Sequence, residues 1–218
     1  MEFDEIIVKS DEQSYGIVKG SSEILLIKTG QDAELKGYHD KYIKIAKSLN
    51  EKYGISVIVA SNHFTGTDPL FDDIEIVEKY ARENNFENYN LKFFGYSNGA
   101  IVGTYYGYLH PEIKEMLLIN GPVKTNIKKY IRGLVNFSGN ITLVYGEEDF
   151  SYKYLPFIYP SLNKEKVLEI FPNADHHFEG LDDEFNALPE KYLYCSLELD
   201  KNSRWSTVFY FLKILLIF

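Results

Sequence analysis

Cysteine is almost absent from this chain: Cys195 is the single copy in 218 residues. An intramolecular disulfide is therefore excluded, and so is a zinc site built on paired cysteines. A chain without bridges fits a reducing compartment. Basic charge is also scarce, 23 Lys and Arg standing against 32 Asp and Glu for a formal net charge of -9. No nucleic-acid partner is expected, because phosphate binding needs a concentrated basic face. The opening residues Met1-Glu2-Phe3-Asp4-Glu5 lack the basic start and apolar stretch of a secretory leader, which makes the cytoplasm the expected location. No apolar run reaches the roughly 20 residues that cross a bilayer. The nearest approach, Trp205 to Phe218, is shorter and carries Lys213 inside it. Repeats, low-complexity tracts and Pro/Gly-rich linkers are missing as well, so nothing divides the chain internally.

What remains is the composition of a folded protein, 45% hydrophobic and 25% charged. The length suits one good-sized core. We expect one domain over residues 1–200. The apolar extension at 201–218 is expected to pack on the body or on a second copy, which would make a homo-oligomer.

Along that domain, strand-like and helix-like segments alternate. Phe3 to Val8 and Tyr15 to Val18 read as edge strands, and Ile24 to Ile27 as a buried one. Tyr38, Tyr42, Ile45, Ala46 and Leu49 fall on one face of a helix predicted over Leu35 to Asn50, closed by Gly54. Ile55 to Ala60 is then a buried strand, and Leu70, Ile74, Val77 and Ala81 form a second helical stripe. Further strands are predicted at Leu91–Phe94, Met116–Ile119, Ile141–Tyr145 and Val167–Phe171, with helices at Gly99–Leu109 and Thr125–Leu134. Doubly buried strands separated by helices predict an α/β fold: a three-layer α/β/α sandwich on a mostly parallel, doubly wound sheet.

One five-residue stretch carries chemistry. In Gly95-Tyr96-Ser97-Asn98-Gly99, a serine sits between a strand and a helix, flanked by glycines that let the two backbones nearly touch. Such a turn presents the hydroxyl bare, and the helix N-terminus directs its dipole and the Asn98 N–H toward any oxyanion formed there. A base and a carboxylate are then required. The strand Ile141 to Tyr145 runs into Gly146-Glu147-Glu148-Asp149, and Val167 to Phe171 runs into Pro172-Asn173-Ala174-Asp175-His176-His177-Phe178. Both loops follow strand ends, where ligand chemistry gathers in open parallel sheets. No metal is expected at Asp175-His176-His177, because adjacent side chains on an extended loop point apart.

Together the three segments resemble the signatures of the α/β-hydrolase superfamily, in its order Ser, acid, His. The resemblance spans roughly Ile24 to Leu188. It implies Ser97 as nucleophile, His176 as general base and Asp149 as the residue orienting the imidazole, with His177 and Glu148 as the nearest alternatives. It also implies a second oxyanion donor in the loop after Ile24–Ile27. There the family's usual His-Gly is replaced by Lys28-Thr29-Gly30-Gln31-Asp32, which leaves the N–H of Gly30 or Gln31 for the task. The interval of about twenty residues between the strands at Met116–Ile119 and Ile141–Tyr145 is too short for a lid domain. The expected rim carries Phe64, Tyr96, Phe150 and Phe178. The implied activity is hydrolysis of a small carboxylic ester or thioester without a cofactor. The alternatives are a peptidase, a C–C hydrolase, or a binding protein that kept the fold and lost catalysis.

Overall fold

Among the described residues, the apolar runs Ile24–Ile27, Val57–Ala60 and Met116–Ile119 lie in interior strands of one eight-stranded sheet. The computed structural model describes residues 1–10, 13–62 and 69–195. Its strands are β1 (Glu5–Val8), β2 (Ser14–Val18), β3 (Ser21–Lys28), β4 (Ile55–Ala60), β5 (Asn90–Tyr96), β6 (Ile113–Ile119), β7 (Asn140–Gly146) and β8 (Lys166–Phe171). They stand in the order β1-β2-β4-β3-β5-β6-β7-β8. The β1–β2 and β2–β4 pairings are antiparallel, and every other neighbour is parallel. All six residues of β4 are buried, as a strand covered on both faces requires. Residues of β1 alternate between half-buried and exposed, the pattern of an edge. Only one of the two predicted edge strands is an edge: β1 pairs with β2 and encloses it.

The helices are α1 (Lys41–Tyr53), α2 (Pro69–Glu83), α3 (Asn98–Tyr106), α4 (Ile127–Asn136) and α5 (Asp182–Pro189). Helices α1 and α5 cover one face of the sheet, while α2, α3 and α4 cover the other, giving the expected doubly wound sandwich. Helix α1 starts six residues later than its apolar stripe suggests. Gly37, His39 and Asp40 hold positive φ values of 70°, 53° and 59°, which no α-helix tolerates, and Tyr38 is exposed. Between β6 and β7 lie only a 3₁₀ turn (Val123–Thr125) and α4, whose Tyr130 and Leu134 are fully buried. That segment is a layer of the sandwich, and among the described residues no lid is present. Among the described residues, no helix is long and apolar enough to cross a membrane. The expected extension at 201–218 lies outside the described residues.

The winding reverses beside β3. The chain leaves β3 toward β4 on one side, whereas β5, the other neighbour of β3, leads on to β6 in the opposite direction. A crevice opens at such a reversal, outside the carboxyl ends of the strands. Lys28 ends β3 there in register with Gly95 of β5. Its side chain points away from solvent and pairs with Asp73 of α2, Nζ to Oδ2 at 2.9 Å, with both groups buried. The same ammonium donates to the Ser61 carbonyl at 3.0 Å, and the Tyr15 hydroxyl donates to Asp73 at 3.1 Å. Burial raises the Asp73 carboxyl above its ordinary range, and Lys28 opposes that rise.

Breaking a buried pair from one side strands the other charge. Lys28→Met is therefore expected to cost about 3–5 kcal/mol of stability. Adding Asp73→Leu in the same chain should restore most of that loss. Urea unfolding at pH 7 of the single and double variants checks the expectation. A single variant as stable as the parent would contradict it.

Candidate active site

Strand β5 ends at Tyr96 and α3 begins at Asn98, so Ser97 alone makes the turn. It does so at φ 52°, ψ -116°, a conformation that is costly for a residue with a Cβ. The flanking glycines are sterically required. A Cβ on Gly95 would stand 2.6 Å from the Gly99 carbonyl oxygen, and one on Gly99 would stand 2.2 Å from that of Lys28. Strand, turn and helix are thus pressed together, with β3 against the start of α3. The Ser97 N–H donates to the Ile119 carbonyl at 2.8 Å, which fixes the turn to the end of β6.

The loops after β7 and β8 meet this turn. Ser97 Oγ lies 2.9 Å from His176 Nε2, and His176 Nδ1 lies 2.5 Å from Asp149 Oδ2. The Asp149 side chain is fully buried, and its Oδ1 accepts the Ser151 N–H at 2.6 Å. Glu147 and Glu148 are exposed. His177 is exposed too, with its Nδ1 3.4 Å from the Tyr96 hydroxyl. Of the alternatives open in the sequence, the structure brings Ser97, His176 and Asp149 into one chain of contacts and leaves Glu148 and His177 outside it. Asp175 braces the histidine loop by accepting the N–H groups of His177 and Glu179, both at 2.9 Å. Burial alone would raise its carboxyl, but those backbone donors outweigh it and hold the group below its ordinary range. Among the described residues, no three His, Cys, Asp or Glu side chains gather as a metal site.

The loop after β3 lies beside the serine: a Cβ on Gly30 would be 3.7 Å from that of Ser97. Its amides are largely spoken for. Thr29 donates to the Ala60 carbonyl at 3.2 Å, Asp32 to that of Asn62 at 3.0 Å, and Ala33 to that of Gly30 at 3.3 Å. The Gly30 N–H, one of the two expected donors, already donates to the Tyr42 hydroxyl at 3.1 Å. Gln31 is exposed, and no described residue accepts its N–H. Across the turn, the Asn98 N–H heads α3, where no intrahelical acceptor exists for it.

No protein-family model and no curated protein matches this sequence. Solved structures do match. An α/β serine hydrolase homologue from Coxiella burnetii superposes with a TM-score of 0.67 at 14% identity, over 88% of this chain and 99% of that one. A dienelactone hydrolase from Anabaena variabilis gives 0.63 at 15% identity, over 88% and 96%. An α/β serine hydrolase without a lid from Xanthomonas campestris gives 0.56 at 18% identity, over 82% and 87%. The chain has the α/β-hydrolase fold.

Within this α/β-hydrolase fold the expected aromatic rim is largely interior. Tyr96 and Phe178 are buried, and Phe64 lies outside the described residues. Phe178 turns inward because it adopts φ 58° after the histidines, which drops its ring onto Phe171 and Phe185. Of the three described, only Phe150 is exposed, at 43%, with its ring centroid 4.5 Å from that of His176. The Tyr96 hydroxyl donates to the His176 carbonyl at 2.9 Å, so the residue before the serine also holds the histidine loop. Lys41 of α1 caps the Tyr96 ring, its Nζ 3.9 Å from the centroid, with Phe185 at 4.7 Å on another side. Burial pushes this ammonium down to about 8, partly opposed by Asp182. Sequence reasoning missed Lys41 in this role, because its spacing places it on a helix start without revealing the rings around it.

Proposed function

We propose that this protein is a serine hydrolase of small carboxylic esters or thioesters, working through an acyl-Ser97 intermediate. The observation that carries the reading is the unbroken Ser97–His176–Asp149 chain at a strained strand-to-helix turn. His176 Nε2 takes the Ser97 proton as Oγ attacks the acyl carbon, and the imidazolium then returns it to the departing alcohol or thiol. Water attacks the acyl group next, gives its proton to His176, and the carboxylic acid leaves with Ser97 restored. Asp149 holds Nδ1–H toward itself and stabilises the imidazolium. The N–H groups of Asn98 and Gln31 flank the place where the carbonyl oxygen gains charge. No cofactor, metal or nucleic acid enters this scheme.

Phe150, 43% exposed with its ring beside that of His176, offers an apolar surface that suits a small acyl or aryl group. The structural neighbours support the reading, since they include serine hydrolases and a dienelactone hydrolase. A binding protein that had lost catalysis would have no need to hold Ser97 at φ 52° with its hydroxyl on an imidazole.

The test is hydrolysis of p-nitrophenyl esters from acetyl to decanoyl, with a stopped-flow record of the first turnover. We expect hydrolysis that declines with acyl length and a burst of p-nitrophenol equal to the enzyme concentration where deacylation is slow. A folded sample that hydrolyses none of the panel above background would leave the binding role as the better reading.

A further inference from the structure

Asn120 directly follows β6, in a segment where the sequence shows no motif. It is fully buried and adopts φ 49°, so a polar side chain and a strained backbone are both retained in the interior. Every polar end of its carboxamide is used. Nδ2 donates to the carbonyl of Asp175 at 3.1 Å and to that of His176 at 3.0 Å. Oδ1 accepts the N–H of Gly146 at 2.9 Å. Gly146 is the residue whose carbonyl receives the Asp149 N–H at 3.1 Å. One side chain therefore ties the loop bearing the acid to the loop bearing the histidine. Its own N–H is fixed to the Val144 carbonyl at 2.9 Å, and the preceding residue, Ile119, accepts the Ser97 N–H.

We propose that Asn120 is a positioning residue that sets the distance between His176 and Asp149 and the height of the imidazole over Ser97. The proposal rests on the serine-hydrolase reading of that site. The geometry selects asparagine at this place: a planar group with two donors on one end and an acceptor on the other, on a residue type that tolerates the left-handed region. Aspartate would keep the size and the acceptor for Gly146. It would lose both donors and set a carboxylate against two carbonyl oxygens. Glycine would accept the backbone conformation and remove the carboxamide altogether.

For both Asn120→Asp and Asn120→Gly we expect kcat on p-nitrophenyl acetate to fall about 10–100-fold, by analogy with the loss of a hydrogen-bond partner that orients a metal-ligating side chain. KM should change little, because Asn120 does not reach the mouth. The two variants should part in their pH profiles. In Asn120→Asp the new carboxylate favours imidazolium, so the acid limb of kcat/KM moves up. In Asn120→Gly it does not. A purely structural role would lower the melting temperature and leave kcat per folded molecule unchanged in both variants; an unchanged kcat in either variant, or an unmoved acid limb in Asn120→Asp, overturns the proposal.

A second readout is independent of activity. In the wild type, the His176 Nδ1–H proton bonded to Asp149 should give a low-field NMR resonance that disappears in Asp149→Asn. In Asn120→Gly we expect it to broaden or shift upfield. If the wild type proves inactive, the proposed function fails while this resonance still tests the positioning role. A resonance unchanged in a folded Asn120→Gly protein counts against Asn120 whatever the activity.

Discussion

Ser97→Ala should lower turnover on the order of 10⁶-fold while the protein stays folded. The size follows from what alanine takes away. Among the described residues no other hydroxyl meets the imidazole: His176 Nε2 faces Ser97 and Nδ1 faces Asp149. Without Oγ no acyl-enzyme can form, and in the proposed mechanism only water attack assisted by the amides assigned there to the oxyanion remains. Such residual assistance leaves a rate some 10³-fold above the uncatalysed reaction. Folding should be nearly unaffected. Alanine at φ 52° is strained to about the same degree as serine, and the exchange removes one partly buried hydrogen bond. Ser97→Ala thus separates chemistry from stability, provided urea midpoints are recorded beside the rates. A variant within tenfold of the parent rate would end the covalent mechanism.

Asp149→Asn is expected to cost about 10⁴-fold in kcat, the loss known when a triad carboxylate becomes an amide. The physical reason is a reversal of donor and acceptor. The carboxylate accepts His176 Nδ1–H at 2.5 Å, which leaves Nε2 as the free acceptor facing Ser97 Oγ. An asparagine donating from that position would push the proton to Nε2, and a protonated Nε2 cannot take the serine proton. The Ser151 N–H on the other carboxylate oxygen holds the side chain in place, so the substitution should preserve geometry and expose the electronic effect. Glu148→Gln is the matching control. Its side chain is exposed and outside the chain of contacts, and its rate should stay within about twofold of the parent, as for a solvated surface carboxylate.

The parts of this site that sequence made legible are those written in neighbouring residues. Gly95 and Gly99 mark a turn that no larger residue could fill, and a Gly-to-Asp loop and an Asp-His pair follow later strands in order. Strand centres were equally readable, because burial on both faces forces continuous apolar runs such as Ile55 to Ala60. Boundaries were less so. The stripe from Tyr38 to Leu49 suggested a helix from Leu35, but left-handed residues at Gly37, His39 and Asp40 postpone it to Lys41. Helix α5 passed unread since eight residues show little more than two turns of pattern.

Illegible altogether were the contacts that only the assembled sheet creates. Lys28 meets Asp73 across 45 residues, and Asn120 meets His176 across 56. Neither pair leaves a local trace. The loop without His-Gly illustrates the same limit. Sequence alone does not distinguish Gly30 from Gln31 as a donor, because the Tyr42 hydroxyl that takes the Gly30 amide lies 12 residues on.

The central claim is that Ser97 is an activated nucleophile, and a fluorophosphonate tests it most directly. Incubated with excess reagent at pH 8, the wild-type protein should gain one adduct mass per chain, on the peptide containing Ser97. Ser97→Ala should gain none, and Asp149→Asn should react far more slowly. A folded wild-type sample that stays unmodified, or one labelled on another residue at the same rate as its Ser97→Ala variant, would contradict the account.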